Sequence, residues 1–276
     1  MPTPQNSVPQ DFLPQNLENV VVVLVRPRNP LNIGAAARAM TNFGARHLRV
    51  VNPYAVAFRE ARSAVGASEL LRSAEELKTL AEAVADCSLV VGTTAVRSRV
   101  LQHPLHRLDQ DAATLIHEHL PSGRVALLFG SEKFGLTNHD FSHCHWLLTV
   151  PTLEGHISMN LGQAVAVCLW ELSKGGGLSG SKPQAVGPAT AGDIEQISQG
   201  LLTALHHSGY VKPGNDAMCE KKVRRLVHRF NLDALDAKVL LGMVRQIRWK
   251  LDQKDKVSGS NAQAKRRSRS GESESG

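Results

Sequence analysis

Aromatic residues are scarce in this chain. Phe, Trp and Tyr together make up 4% of its 276 residues, so a core must be built mainly from Val, Leu, Ile and Ala. Cysteine is sparse and scattered: Cys87, Cys144, Cys168 and Cys219 form no CxxC pair. That pattern carries no zinc-ribbon or dithiol motif and suits buried or free thiols in a reducing compartment. No apolar run approaches the ~18 residues of a membrane span. The opening segment, MPTPQNSVPQDFLPQNLEN, has neither a basic n-region nor an apolar h-region, so it does not read as a signal peptide. A soluble, cytoplasmic protein without membrane contact is expected. Missing motifs narrow the chemistry further. There is no GxxxxGK[ST], and no GxGxxG follows a strand-like run, so nucleoside triphosphate and nicotinamide chemistry lose support. No Ser-His-Asp or Cys-His set can be assembled by spacing. His139, His143 and His145 have partial metal-ligand spacing, yet no second cysteine or carboxylate cluster accompanies them, so no metal is expected.

What is present is apolar and basic. Hydrophobic residues make up 42% and the net charge is +7, which favours a polyanion partner, because Lys and Arg release counterions from phosphates. Continuous β-branched runs suit parallel strands buried on both faces. They are Asn19 to Val25, His47 to Val51, Cys87 to Thr93, Arg124 to Gly130 and His145 to Pro151. Helical patterns lie between them: one capped by Asn32 and ended by Gly44, one from Ser68 to Cys87, and one from Ser158 to Leu172. The alternation predicts an α/β fold with a mostly parallel sheet and flanking helices.

Composition then changes. The chain divides into a disordered segment 1–18, an α/β domain 19–173, a Gly/Ser/Pro-rich flexible linker 174–192, a helical extension 193–251 and a disordered basic tail 252–276. Three helices are predicted in the extension, capped by Asp193, Asn215 and Asp233. The second carries Lys221, Lys222, Arg224, Arg225, His228 and Arg229, a candidate phosphate-binding face or a solvated one.

Three loops share one grammar, an apolar run followed by Gly, Asn, Glu or Ser: NIGAAAR (Asn32 to Arg38), LLFGSEKFGLTN (Leu127 to Asn138) and VPTLEGHISMNL (Val150 to Leu161). Loops leaving the carboxyl ends of strands are where open α/β sheets bind ligands, so these three read as parts of one site. Arg38 is a candidate phosphate ligand, since guanidinium holds phosphate bidentately. Gly130 and Gly135 permit close backbone approach. Glu132 either accepts from a ribose hydroxyl or orients Arg38. Ser158 is a candidate N-cap, and Asn160 a candidate donor.

In order, these segments resemble the three motifs of the SPOUT-class RNA methyltransferases, in the branch of ribose 2′-O-methyltransferases. NPLNIGAAARAM matches Asn-x-Gly-x-x-x-Arg, LLFGSEKFGLTN matches Gly-x-Glu-x-x-Gly-Leu, and VPTLEGHISMNL ends in Ser-x-Asn. LLTALHHSGYVKP and KKVRRLVHRF are similar to the helical extension of a tRNA-modifying member group. The resemblance implies a trefoil-knotted sheet, a homodimer, S-adenosyl-L-methionine as cofactor and a tRNA ribose as acceptor, at the first nucleotide of the anticodon loop. Ribosomal RNA, or tRNA binding without catalysis, is the alternative. It implies catalytic roles for Arg38, Asn32, Glu132, Ser158 and Asn160. Cofactor contacts fall to Thr93, Thr94, Ala95, Gly130, Val150, Ser158, Met159 and Asn160. RNA contacts fall to Arg38, Lys221, Lys222, Arg224, Arg225 and Arg229.

Overall fold

A computed structural model describes residues 17–54, 64–95, 101–153, 158–174, 187–212 and 214–271, with side chains up to residue 253. Residues 1–16 of the N-terminal segment, 175–186 of the linker, 272–276 of the basic tail and the side chains of residues 254–271 lie outside the described residues.

The valine run Val20–Val25 is buried along its whole length, as expected of a strand with helices on both faces. It is β1, and it pairs with β2 (His47–Val51) on one side and β6 (Arg124–Phe129) on the other. β4 (Cys87–Thr93) lies between β6 and β7 (Trp146–Thr149), while β3 (Glu75–Leu77) and β5 (Leu105–Arg107) form the edges. The order is β3-β2-β1-β6-β4-β7-β5, and every ladder is parallel. The predicted parallel sheet is therefore present, and all strands end on the same edge.

Helices cover both faces. α1 (Pro30–Asn42), α2 (Ser68–Ser73), α4 (Gln110–His119) and α6 (Leu161–Ser173) enclose one core with Val20, Val22, Leu24, Leu127 and Phe129. α3 (Leu80–Val84) and α5 (Asn138–Phe141) cover the other, with Val21, Val23, Ala126 and Leu128. α7 (Ala191–His207), α8 (Asp216–Arg229) and α9 (Ala234–Gly271) enclose a third, smaller core around Ile197, Val227 and Ala237.

Several boundaries move. The predicted helix from Ser68 to Cys87 divides into α2, β3 and α3. Arg49 of β2 is buried and needs partners. Its guanidinium donates to Asp86 at 2.5 and 2.9 Å, to Glu75 at 3.3 Å and to the Ala83 carbonyl at 3.0 Å. Holding Glu75 beside β2 and Asp86 beyond α3 breaks a continuous helix, and Thr79 with Glu82 starts the new one as a capping box. Asn29, not Asn32, caps α1: its side chain accepts from Leu31 N at 2.9 Å, with Pro30 at the first helical position. Likewise Asn160, not Ser158, caps α6, and Thr190, with Asp193 as its box partner, caps α7.

The last part of the expected linker is packed rather than loose. Gly192 N donates to Ala85 O at 2.8 Å, and a Cβ at Gly192 would lie 2.7 Å from that oxygen. Ala191 is buried against the sheet. At the other end α9 continues to Gly271 instead of stopping at Leu251.

Candidate active site

Parallel pairing brings the carboxyl ends of β4, β6 and β7 together at the middle of one edge. The loops leaving them enclose an open cleft of about 970 Å³, counting its solvent-facing mouth. Thr93, Thr94 and Ala95 line it from β4, Gly130 to Leu136 from β6, and Val150, Thr152, Ser158 and Met159 from β7. Leu148, Leu161 and Ala164 form its apolar floor. Of the eight predicted cofactor residues, seven line this cleft. Asn160 does not line it and is engaged elsewhere.

Local chemistry shapes the walls. The Thr93 hydroxyl donates to Leu128 O at 2.7 Å and Thr94 N to Leu148 O at 2.9 Å, so both fasten β4 to its neighbours. The β6 loop folds back on itself. Gly135 N donates to Ser131 O at 2.8 Å, and Gly135 adopts φ +66°. A Cβ at Gly130 would lie 2.0 Å from the Gly135 carbonyl carbon, so only glycine fits there. The requirement for glycine at 130 is thus met inside the protein, before any ligand is considered. The same tight loop turns Phe134 outward, 60% exposed on the cleft wall beside Lys133. Ser131, Lys133, Phe134, Leu136 and Thr152 belong to the cleft although the motifs did not single them out. Their signal was position, since all but Thr152 sit inside the GSEKFGL loop.

A polar chain joins all three motif loops. Glu132 accepts from Arg28 N at 2.9 Å, Asn29 N at 3.1 Å and the Asn32 amide at 2.9 Å. Asn32 in turn accepts from the Asn160 amide at 2.9 Å, and the Asn160 carbonyl accepts from Gly162 N at 2.9 Å. Burial raises the Glu132 pKa, but these hydrogen bonds outweigh it and hold the carboxyl below its ordinary value. Glu132 therefore stays ionised and organises Asn32 and the start of α1. Its hydrogen bonds go to these groups and not to Arg38. Arg38 is exposed on α1, off the buried stripe of Ile33, Ala37 and Met40, and does not line the cleft.

The turn after β1 carries backbone strain. Arg26 has φ 53°, and Asn52 after β2 has φ 46°. Arg26 is held there by an ion pair to Asp140, whose side chain is buried. Burial raises the Asp140 pKa, yet Arg26 and the Thr137 donors keep it below its ordinary value.

The extension corrects one RNA-binding expectation. Arg224 is only 2% exposed. Its guanidinium donates to Glu195 at 2.6 and 2.9 Å, to Glu220 at 2.8 Å and to Ser142 at 3.0 Å. It ties α8 to α7 and to the segment after α5, and is closed to phosphate. Arg225, half-buried, donates to Gln102. Lys222 and Arg229 are exposed, and Lys221 is half-buried. His139 and His143 meet edge to face with centroids 5.4 Å apart, while the ring of His145 accepts from Val90 N at 3.0 Å. Among the described residues no group of three His, Cys, Asp or Glu side chains is arranged to hold a metal.

Residues 19–170 match the SpoU rRNA Methylase family. The chain belongs to that family and is a methyltransferase, with the SPOUT architecture of a parallel sheet between helices. Among its relatives is the tRNA (cytidine/uridine-2'-O-)-methyltransferase TrmJ of Yersinia pestis (strain Pestoides F), 34% identical, the match covering 84% of this chain and 92% of that one. The Sodalis glossinidius TrmJ is likewise 34% identical over the same shares. Among solved structures, TrmJ from Z. mobilis ZM4 superposes with a TM-score of 0.74 at 34% identity, covering 83% of this chain and 98% of that one. A probable methylase family protein from Haemophilus influenzae Rd KW20 gives 0.54 at 29% identity, covering 86% and 99%.

Proposed function

We propose that this protein transfers a methyl group from S-adenosyl-L-methionine to a ribose 2′-hydroxyl of tRNA, at the first nucleotide of the anticodon loop. The observation that carries the reading is the adjacency of two unlike sites at one sheet edge. One is a cleft with apolar floor and hydroxyl-bearing rim; the other is the Glu132–Asn32–Asn160 chain at the start of the helix bearing Arg38. The cleft fits the cofactor. Leu136, Leu148, Val150 and Leu161 suit adenine, while Thr152, Ser158 and loop backbone groups suit the ribose and amino-acid portions. The names of the TrmJ relatives support tRNA and pyrimidine acceptors.

Bound there, the cofactor supplies an electrophilic methyl on a sulfonium that departs as a neutral thioether. The protein's task is alignment and charge control. Fixing the loops positions the acceptor, an effect that reaches roughly 7–11 kcal/mol in well-oriented systems. Arg38 is too basic to act as a base. It grips the phosphate beside the target ribose and stabilises the developing alkoxide, and phosphate or water accepts the proton. Ser158 lines the cleft two residues before Asn160 of the polar chain. The trefoil knot, the homodimer and a cytoplasmic setting are taken from the family resemblance and belong to the same proposal.

Purified protein, labelled S-adenosylmethionine and bulk tRNA test it, with nucleoside mass spectrometry locating the product. A 2′-O-methylated nucleoside at the first anticodon-loop position is expected; modification of ribosomal RNA alone overturns the reading. Arg38→Ala should lower the single-turnover rate by roughly 100- to 1,000-fold. Arg38→Lys should retain part of it with an unchanged pH profile. A new pH dependence assignable to a basic group at position 38 overturns the assigned role.

A further inference from the structure

Two residues outside the motifs, Arg28 and Tyr54, form a stacked pair at the active edge of the sheet. Arg28 follows β1 and Tyr54 follows β2, its neighbour. The Arg28 guanidinium carbon lies 4.8 Å from the Tyr54 ring centroid. Both side chains are exposed, Tyr54 to 75%.

Three things fix the pair in place. Tyr54 N donates to Pro27 O at 3.0 Å, and Arg26 N donates to Val51 O at 2.8 Å, so the two loops are laced together through backbone. Both leave their strands through a left-handed residue, Arg26 and Asn52, and Arg26 is anchored by buried Asp140. Arg28 N is bound by Glu132, the centre of the polar chain that reaches Asn32 and Asn160. The pair is therefore built onto the catalytic framework, yet neither residue lines the cofactor cleft. A core contact would be buried, and an isolated surface tyrosine would not be tied to the site through backbone.

A guanidinium stacked on an aromatic ring offers a flat cationic surface. That chemistry holds an unpaired nucleobase and its phosphate, and it tolerates any base because each has a π-face. We propose that Arg28 and Tyr54 form a stacking platform for an unpaired base flanking the methylated nucleotide. The inference rests on the reading above that the substrate is RNA.

The test uses the full-length protein and filter binding of the tRNA, with calorimetry of S-adenosylhomocysteine alongside. Tyr54→Ala and Tyr54→Leu should each weaken RNA binding by roughly 5- to 100-fold, and Tyr54→Phe should not. Arg28→Ala should lose a comparable factor, and the double variant less than the product of the two, because the pair acts as one surface. S-adenosylhomocysteine affinity and melting temperature should not move. Unchanged RNA affinity in Tyr54→Ala, or a loss that appears in cofactor affinity instead, overturns the platform. The two readings fail separately. A wild type that transfers no methyl group overturns the proposed function, whereas the platform is decided by whether RNA binding depends on Tyr54 and Arg28.

Discussion

A single amide, Asn32, joins the carboxylate of one motif loop to the helix cap of another. Removing it leaves Glu132 its two backbone donors but cuts the link to Asn160. Hydrogen bonds to charged groups contribute roughly 1.5–3 kcal/mol, and exposure here places this one at the low end. Asn32→Ala should therefore lower the melting temperature by only a few degrees, roughly 2–4 °C per kcal/mol for a domain this size. Its single-turnover rate should fall further, by roughly 10- to 100-fold, since each tenfold step is about 1.4 kcal/mol of lost alignment. Stopped reactions and a thermal melt on the same sample separate the two. A neighbouring contrast tests the loop itself. Gly130→Ala forces a Cβ against backbone at 2.0 Å, so it should abolish the thermal shift given by S-adenosylhomocysteine. Gly135→Ala meets nothing within 4 Å and carries only the left-handed penalty, roughly 1–2 kcal/mol, so the shift should persist. At this scale the sequence was informative where a residue's type names its chemistry, as for Asn32, Arg38, Glu132 and Asn160. It was silent on partners: nothing in the order of residues says that Glu132 binds Asn32 instead of Arg38, or that Arg28 meets Tyr54.

Elements were legible where burial is uniform and less so where a distant charge decides. The five apolar runs all became strands, because a doubly covered parallel strand announces itself as continuous Val, Ile and Leu. The edge strands β3 and β5 are three residues each and carry no such signature. The division of Ser68 to Cys87 follows from Arg49, nineteen or more residues upstream in β2, although Thr79-x-x-Glu82 was a readable start signal within it. α8 gives the sharpest case. Its basic run looked like one face, but the helix turns Arg224 inward and leaves Lys222 and Arg229 outward. Substitution should divide them. Arg224→Ala strands Glu195 and Ser142 and should cost roughly 3–5 kcal/mol of stability, read by denaturant unfolding. Lys222→Ala should leave stability within about 0.5 kcal/mol. It should also reduce the slope of log affinity against log salt for tRNA by roughly 1. Equal salt slopes for Lys222→Ala and wild type would remove Lys222 from the RNA face.

For the whole molecule, the helical extension and the sheet domain meet through titratable groups. His143, in the segment after α5, faces Glu195 and Arg224 from the extension. His228 of α8 packs edge-on against His145, with centroids 4.5 Å apart. His103 sits beside Phe141 and feels Arg225 and Arg229. Burial is the foremost cause that lowers all of these histidines; Arg225 and Arg229 add to it at His103 and Arg224 adds to it at His143 and His228, while Glu195 opposes it at His143; His103 reaches about 4 against an ordinary 6.5. A histidine whose folded pKa is depressed binds its proton more readily when unfolded. Its contribution is complete above pH 6.5 and is lost as pH falls from there towards about 4. The lowered carboxylates Glu195 and Asp140 act in the same direction but later, from the ordinary carboxylate range downward. The joint between extension and sheet should thus weaken first on mild acidification, before the sheet itself. Hydrogen exchange followed from pH 7.5 to 5, corrected for intrinsic rates, should show protection falling in α7 and α8 while β1 and β6 remain protected. Melting temperature should decline across the same window. His103→Gln and His228→Gln together should flatten that decline, since both remove a group that must stay neutral in the folded state. A decline that begins only below pH 4.5, or protection lost from β1 and α8 together, would assign the acid sensitivity to the carboxylates and not to the joint.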